Sequence, residues 1–169
     1  PYCAGVKVLP GFNDLASHNP DMAAQWHPSR NGSLTPEQVT YGSTKRVWWL
    51  CPRGHEWKTI ITARTYMGSG CPVCSNRVIQ AGYNDLQTLY PALAAEWDTE
   101  KNAPLTPDQV GAGSEKKVWW RCPLGHSYQM SPWDRTSRNC DCPYCTGRKV
   151  LVGFNDLGSK RPEIAAQWH

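Results

Sequence analysis

Val47-Trp48-Trp49-Leu50-Cys51-Pro52-Arg53-Gly54-His55 opens the stretch that decides the fold, and Cys71-Pro72-Val73-Cys74 closes it. The same pattern returns as Val118-Trp119-Trp120-Arg121-Cys122-Pro123-Leu124-Gly125-His126 and Cys142-Pro143-Tyr144-Cys145. The offset between the copies is 71 at every chemical position (122−51, 126−55, 142−71, 145−74). Each copy supplies three thiolates and one imidazole in two tight pairs, the donor set of a closed tetrahedral zinc site. Proline sets φ and glycine permits a positive φ, so the backbone can curl round an ion and bring Cys51 and His55 together. The alternatives are packed side chains or a redox Cys-x-x-Cys. Two complete quartets in register favour metal. The expectation is two structural zinc ions per chain, held by Cys51, His55, Cys71, Cys74 and by Cys122, His126, Cys142, Cys145.

Repetition at this period argues for small units of about 71 residues rather than one large core, and a metal is the usual staple at that size. Nine Trp against two Phe skew the aromatics. A net charge of +4 is only mildly basic, which permits a polyanionic partner without demanding one. Eight cysteines could form a disulfide framework, but zinc spacing favours a reducing compartment. The sequence shows neither a signal-peptide pattern nor an apolar span long enough for a membrane. A cytoplasmic location follows as an expectation, nucleoid-associated if the partner is DNA.

Working outward, Pro1-Tyr2-Cys3 matches Pro143-Tyr144-Cys145, and Gln167-Trp168-His169 matches Gln25-Trp26-His27. The expected organisation is a remnant at 1–3, complete repeats at 4–74 and 75–145, and the start of a third at 146–169, a window on a longer array. Cys3 is then an orphan thiol. Gly11-Phe12-Asn13-Asp14-Leu15 recurs at 82–86 and 153–157, and Asn or Asp before an apolar run signals a helix N-cap. Prolines 20, 91 and 162 lead into short helices expected to end at Trp26, Trp97 and Trp168, with the tryptophans as core. Thr35-Pro36-Glu37-Gln38 and Thr106-Pro107-Asp108-Gln109 fit capping boxes. Lys45–Trp49 and Lys116–Trp120 read as strands entering the metal knuckle, with Trp57–Thr62 returning. Pro132 falls inside the second return strand and would make it an edge. A helical turn or two is expected after each Cys-Pro-x-Cys. The fold class is α+β: tandem small zinc domains, each a metal knuckle, a β-hairpin and short helices.

The order Asn-Asp-Leu, Pro, Ala-Ala-x-Trp, Leu-Thr-Pro, Trp-Trp-x-Cys-Pro-x-Gly-His, Arg-Thr, Cys-Pro-x-Cys resembles the bacterial "probable zinc-ribbon domain" repeats, viewed as treble-clef zinc fingers. The resemblance covers essentially the whole chain. It implies tandem arrays, sometimes attached to restriction-endonuclease-like nuclease domains, and a role in nucleic-acid binding. The same eight ligands carry over. Cys140, where the first copy has Ser69, could compete with Cys142, but the constant offset favours Cys142.

Basic residues shared between copies are candidates for phosphate contact: Lys45 and Lys116, Arg46 and Lys117, Arg64 and Arg135, Arg77 and Arg148, with Lys149 beside the last. The alternative is solvated charge, or for Arg64 and Arg135 hydrogen bonds to loop carbonyls within the fold. Positions that differ between copies could read bases, Lys58 and Gln129 foremost, although drift gives the same pattern. One Trp of each Trp-Trp pair should be core and the other more exposed, where it could stack on unpaired bases. Duplex DNA is the favoured partner, with RNA or single strands as options and further repeats or a nuclease as neighbours. The rival is a zinc-stabilised protein-interaction or spacer array. An enzyme is not expected: four protein ligands leave no open position for catalytic water. Nor do His18, His27 and His169 recur with a partner carboxylate.

Overall fold

The computed structural model describes residues 7–168, so the readings placed on Pro1-Tyr2-Cys3 and on His169 lie outside the described residues. The chain divides into two compact units, Pro1–Val78 and Ile79–His169. Each is built round one antiparallel hairpin whose turn is the Cys-Pro-x-Gly-His knuckle.

In the first unit, α1 (Leu15–His18) and α2 (Pro20–Ala23) precede a single 3₁₀ turn at Pro36–Gln38. Then come β1 (Arg46–Leu50), β2 (Glu56–Ile60) and α3 (Ile61–Thr65). The second unit repeats the order with one added helix, α6: α4 (Leu86–Leu89), α5 (Pro91–Ala94), α6 (Thr99–Asn102), the turn Pro107–Gln109, β3 (Val118–Arg121), β4 (Ser127–Met130) and α7 (Pro132–Thr136). It ends in α8 (Leu157–Lys160) and α9 (Pro162–Ala165), counterparts of α1 and α2.

The helices are too short to hold by propagation, so their ends are fixed by side chains. Asp14 caps α1, accepting from Ser17 N at 2.9 Å and Gly11 N at 2.6 Å. Asp85 does the same with Thr88 and Gly82, and Asp156 with Ser159 and Gly153. Gln38 Oε1 accepts from Thr35 N, and Gln109 Oε1 from Thr106 N, within the expected capping boxes.

The hairpin register pairs Trp48 with Lys58 and Trp49 with Trp57; in the second unit it pairs Trp119 with Gln129 and Trp120 with Tyr128. Alternation sends Val47 and Trp49 inward and leaves Trp48 half-buried. Trp49 and Trp120 are fully buried. The other edge of β1 is also paired: His27 N donates to Trp48 O, Leu50 N donates to Gln25 O, and Trp26 bridges Trp49. Leu15, Val39, Val47, Trp49, Trp57 and Ile61 form the first core, and Leu86, Trp97, Val110, Val118, Trp120 and Tyr128 the second.

Three sequence expectations change. The helices at Pro20, Pro91 and Pro162 stop at Ala23, Ala94 and Ala165, short of Trp26, Trp97 and Trp168, and Trp26 and Trp97 bridge the hairpins instead. The return strand stops at Ile60, and Ile61 opens α3, whose apolar face buries Ile61. Pro132 therefore does not weaken a strand; it occupies the first turn of α7 behind the N-cap Ser131. After Cys74 the chain makes one turn, closed by a positive φ at Asn76, and after Cys145 by one at Gly147.

Candidate metal centre

The knuckle turn is closed by its own backbone. Cys51 N donates to His55 O and Gly54 N donates to Cys51 O, with Gly54 at φ +83°. This curl aims Cys51 Sγ and His55 Nδ1 at one point, 3.4 Å apart. The chain running back through α3 delivers Cys71 and Cys74 from the other side. His55 Nδ1 lies 3.6 Å from Cys71 Sγ and 3.2 Å from Cys74 Sγ, and Cys51 Sγ lies 3.8 Å from Cys74 Sγ. In the second unit the matching separations are 3.5 Å for Cys122–His126, 3.8 Å for Cys142–His126, 3.3 Å for Cys145–His126 and 3.8 Å for Cys122–Cys145.

These lengths can be set against a tetrahedron. Zn–S bonds of about 2.3 Å and Zn–N bonds of about 2.0–2.1 Å imply S···S edges of about 3.8 Å and S···N edges of about 3.5 Å. All four donor atoms of each quartet lie within 4.8 Å of one another. The two Cys₃His sites therefore fit two zinc ions, with Nδ1 as the imidazole donor.

Thiol acidity follows the geometry. Burial alone would raise Cys51, but N–H groups of His55 and Arg53 aimed at its sulfur bring it below its ordinary value, and His126 and Leu124 do the same for Cys122. Burial and the neighbouring Cys142 and Cys122 push Cys145 up to about 12. Crowding three sulfurs this closely is costly unless a dication sits among them, which would deprotonate all three. The imidazole of His126 is also shelved: Phe154 stands edge-on to it at 4.2 Å and Tyr144 at 5.8 Å. Cys140 is half-buried outside the quartet, its thiol directed at Arg138 O.

The geometry has a counterpart in sequence. The pattern of the family described as "Probable Treble clef zinc finger domain" matches residues 22–77 and again 93–148. The chain belongs to this family. It is a tandem pair of treble-clef repeats, each with one metal site. No curated protein matches the chain as a relative.

The cations named from the sequence fall into two groups. Lys45, Arg46, Lys58, Arg77, Lys116, Lys117, Arg148 and Lys149 are exposed, as is Gln129. Arg64 and Arg135 are not, which corrects their place among surface candidates. Arg64 is 7% exposed, stacks on Trp49 at 4.4 Å, and donates to Gln25 Oε1 and Ser69 O. Arg135 lies over Trp120 at 4.9 Å and pairs with Glu96 at 2.9 Å. Both are internal struts of the treble clef. Trp48 and Trp119 are the outer members of their pairs, but cations already cover them: Arg30 at 4.6 Å and Lys58 at 5.9 Å over Trp48, Lys101 at 4.4 Å over Trp119.

Sequence reasoning missed Asn31 and Asn102. Asn31 Oδ1 accepts from Trp48 N at 2.7 Å while its amide donates to Trp48 O at 2.9 Å. Asn102 grips Trp119 in the same way. One side-chain amide thus finishes the strand edge beside the knuckle. The only sequence signal was the shared offset.

Proposed function

We propose that these treble-clef repeats bind nucleic acid, with duplex DNA favoured, as the targeting module of a larger, nuclease-linked protein, and that they do no chemistry of their own. The observation that carries the reading is the recurrence of exposed cations at one offset on a zinc-closed scaffold: Lys45-Arg46 and Lys116-Lys117 at the start of each hairpin, Arg77 and Arg148 after each knuckle. Cations held at fixed places on a rigid frame can meet successive phosphates, and they release counterions on doing so. Each unit of the proposed array, 4–74 and 75–145, would contribute one hairpin pair, and Arg77 and Arg148 fall just past the close of each. Among the described residues no helix is long and apolar enough to cross a membrane.

The test is fluorescence anisotropy of labelled duplex DNA with the zinc-loaded chain across a salt series. Binding should weaken steeply with salt. The quadruple variant Lys45→Ala/Arg46→Ala/Lys116→Ala/Lys117→Ala should both weaken it and flatten the salt slope by about one unit for each phosphate no longer neutralised.

A further inference from the structure

The helix that follows each hairpin carries an aromatic ring the fold does not need. In the first repeat this is Tyr66, at the C-cap of α3 and 65% exposed; its counterpart in the second repeat is Ser137. In the second repeat it is Trp133, in the first turn of α7 and 39% exposed; its counterpart is Thr62. Positions four apart share one face of a helix, so the two repeats present a ring on the same face from different positions. Since Thr62 and Ser137 serve the same backbone, neither ring is scaffold.

Both rings are held rather than loose. Tyr66 packs edge-on against Tyr41 at 5.9 Å, and Tyr41 lies 4.4 Å from the ring of His18. Gly42 sits beneath Tyr66, where a Cβ would come within 3.2 Å of the phenol oxygen. Partial burial and the Tyr41 hydroxyl hold the Tyr66 phenol above its ordinary value, so it stays neutral beside a polyanion. Trp133 has the Arg138 guanidinium over it at 5.4 Å, itself a plane on which a base can stack.

The cations lie at the same end of each repeat. Ile61 N donates to Lys45 O and Thr62 N to Ser43 O, so the chain entering Lys45-Arg46 is bonded directly to the first turn of α3. Trp133 N likewise donates to Ser114 O, two residues before Lys116. Exposed rings beside backbone-tracking cations form a platform for unpaired bases, since every base has a stackable face. Each repeat enters its hairpin through two exposed cations, and the second entry also carries Glu115, which weakens its field relative to Thr44 in the first.

Resting on the nucleic-acid reading above, we infer that Tyr66 and Trp133 stack on unpaired bases, so that the preferred ligand is a duplex bearing a single-stranded stretch rather than a fully paired one. The hairpin cations take the duplex phosphates and the rings take bases that have left the stack.

The experiment compares three labelled probes with the zinc-loaded chain: a blunt DNA duplex, the same duplex with a short single-stranded DNA overhang, and that duplex with an RNA overhang. The wild type should prefer either overhang by about tenfold or more, the scale of one good stack. Tyr66→Ala/Trp133→Ala should abolish that preference while leaving blunt-duplex affinity, zinc content and circular dichroism unchanged. Tyr66→Phe/Trp133→Phe should restore it, because a ring without polar groups still stacks. A wild type with no overhang preference, a preference that survives the double alanine variant, or an equal loss on blunt and overhang probes would each overturn the platform without touching the reading that the wild-type chain binds duplex. Absence of binding to every probe would instead overturn the nucleic-acid reading on which it rests.

Discussion

Both repeats bury an arginine over the same tryptophan, but they satisfy it differently. Arg64 has a neutral partner, Gln25, and its second terminal nitrogen is buried without a hydrogen bond; the centre of its guanidinium lies over the ring of Trp57 at 5.1 Å. Arg135 has a charged partner, Glu96, and its second nitrogen donates to the hydroxyl of Tyr128, which occupies the position of Trp57. Burial pushes the Tyr128 phenol well up, so it stays neutral and free to accept. A guanidinium against the central Trp is thus what this frame keeps. The partner set around it is negotiable, and the second repeat has the better-satisfied one.

The largest expected effect breaks one repeat and spares the other. Cys71→Ser should melt the first repeat while the second keeps its metal and its protected β3 and β4 amides; Cys142→Ser should do the reverse. Structural zinc contributes about 10–16 kcal/mol of apparent binding free energy, more than so small a core can supply. Hydrogen exchange resolved by repeat, with the zinc count falling from two to one, checks this. Simultaneous melting of both repeats in either variant would mean they do not fold separately.

Next in size come the arginines. Arg135→Ala leaves Glu96 facing the core without its partner and should cost about 3 kcal/mol. Arg64→Ala leaves only a neutral amide and should cost less. Tyr128→Phe turns the second repeat into the first by orphaning a guanidinium nitrogen, at about 1–3 kcal/mol. Trp57→Tyr should sharpen the comparison by supplying the hydroxyl Arg64 lacks, partly offset by the smaller ring. Denaturant unfolding followed on the same amides ranks these variants, and equal costs for the two arginine truncations would refute the distinction.

Smallest are the caps, where the repeats should behave alike. Asp14→Ala and Asp85→Ala should each cost about 1 kcal/mol. Burial raises both carboxyls, yet the N–H and hydroxyl donors of Ser17 and Gly11, or of Thr88 and Gly82, hold them below the ordinary 3.8. A carboxyl depressed in the folded state contributes stability that is fully present above its unfolded value and is lost as pH falls through the folded one. The gap between wild type and cap variants should therefore be fully present, and independent of pH, throughout the range above pH 3.8 in which the zinc-loaded repeats stay folded. A gap that changes with pH inside that range would assign the loss to something other than the carboxylate.

What was legible in the sequence is what is local. The quartets, the knuckle glycines and the Asp caps each declare themselves within a few residues. The buried arginines did not, because Arg64 shares its offset with true surface cations such as Lys45, and only packing against Trp49 tells them apart. Asn31 was invisible for a similar reason: its partner is the backbone of Trp48, remote in sequence. The missed helix was misread rather than hidden. Ile60-Ile61-Thr62 looks like a strand, but Ser131-Pro132 in the second copy is an N-cap and first-turn pair, with Ser131 Oγ accepting from Asp134 N at 3.1 Å. The chain has to turn there, since Cys71 must come back to within a zinc's reach of Cys51.

The central claim is two independent Cys₃His zinc sites, and native mass spectrometry of the full chain paired with cobalt substitution tests it most directly. The account predicts two ions per chain, and a cobalt spectrum with tetrahedral ligand-field and thiolate charge-transfer bands whose intensity halves in Cys71→Ser and in Cys142→Ser. One ion or none in the reduced chain, or a spectrum unchanged by either substitution, would contradict it.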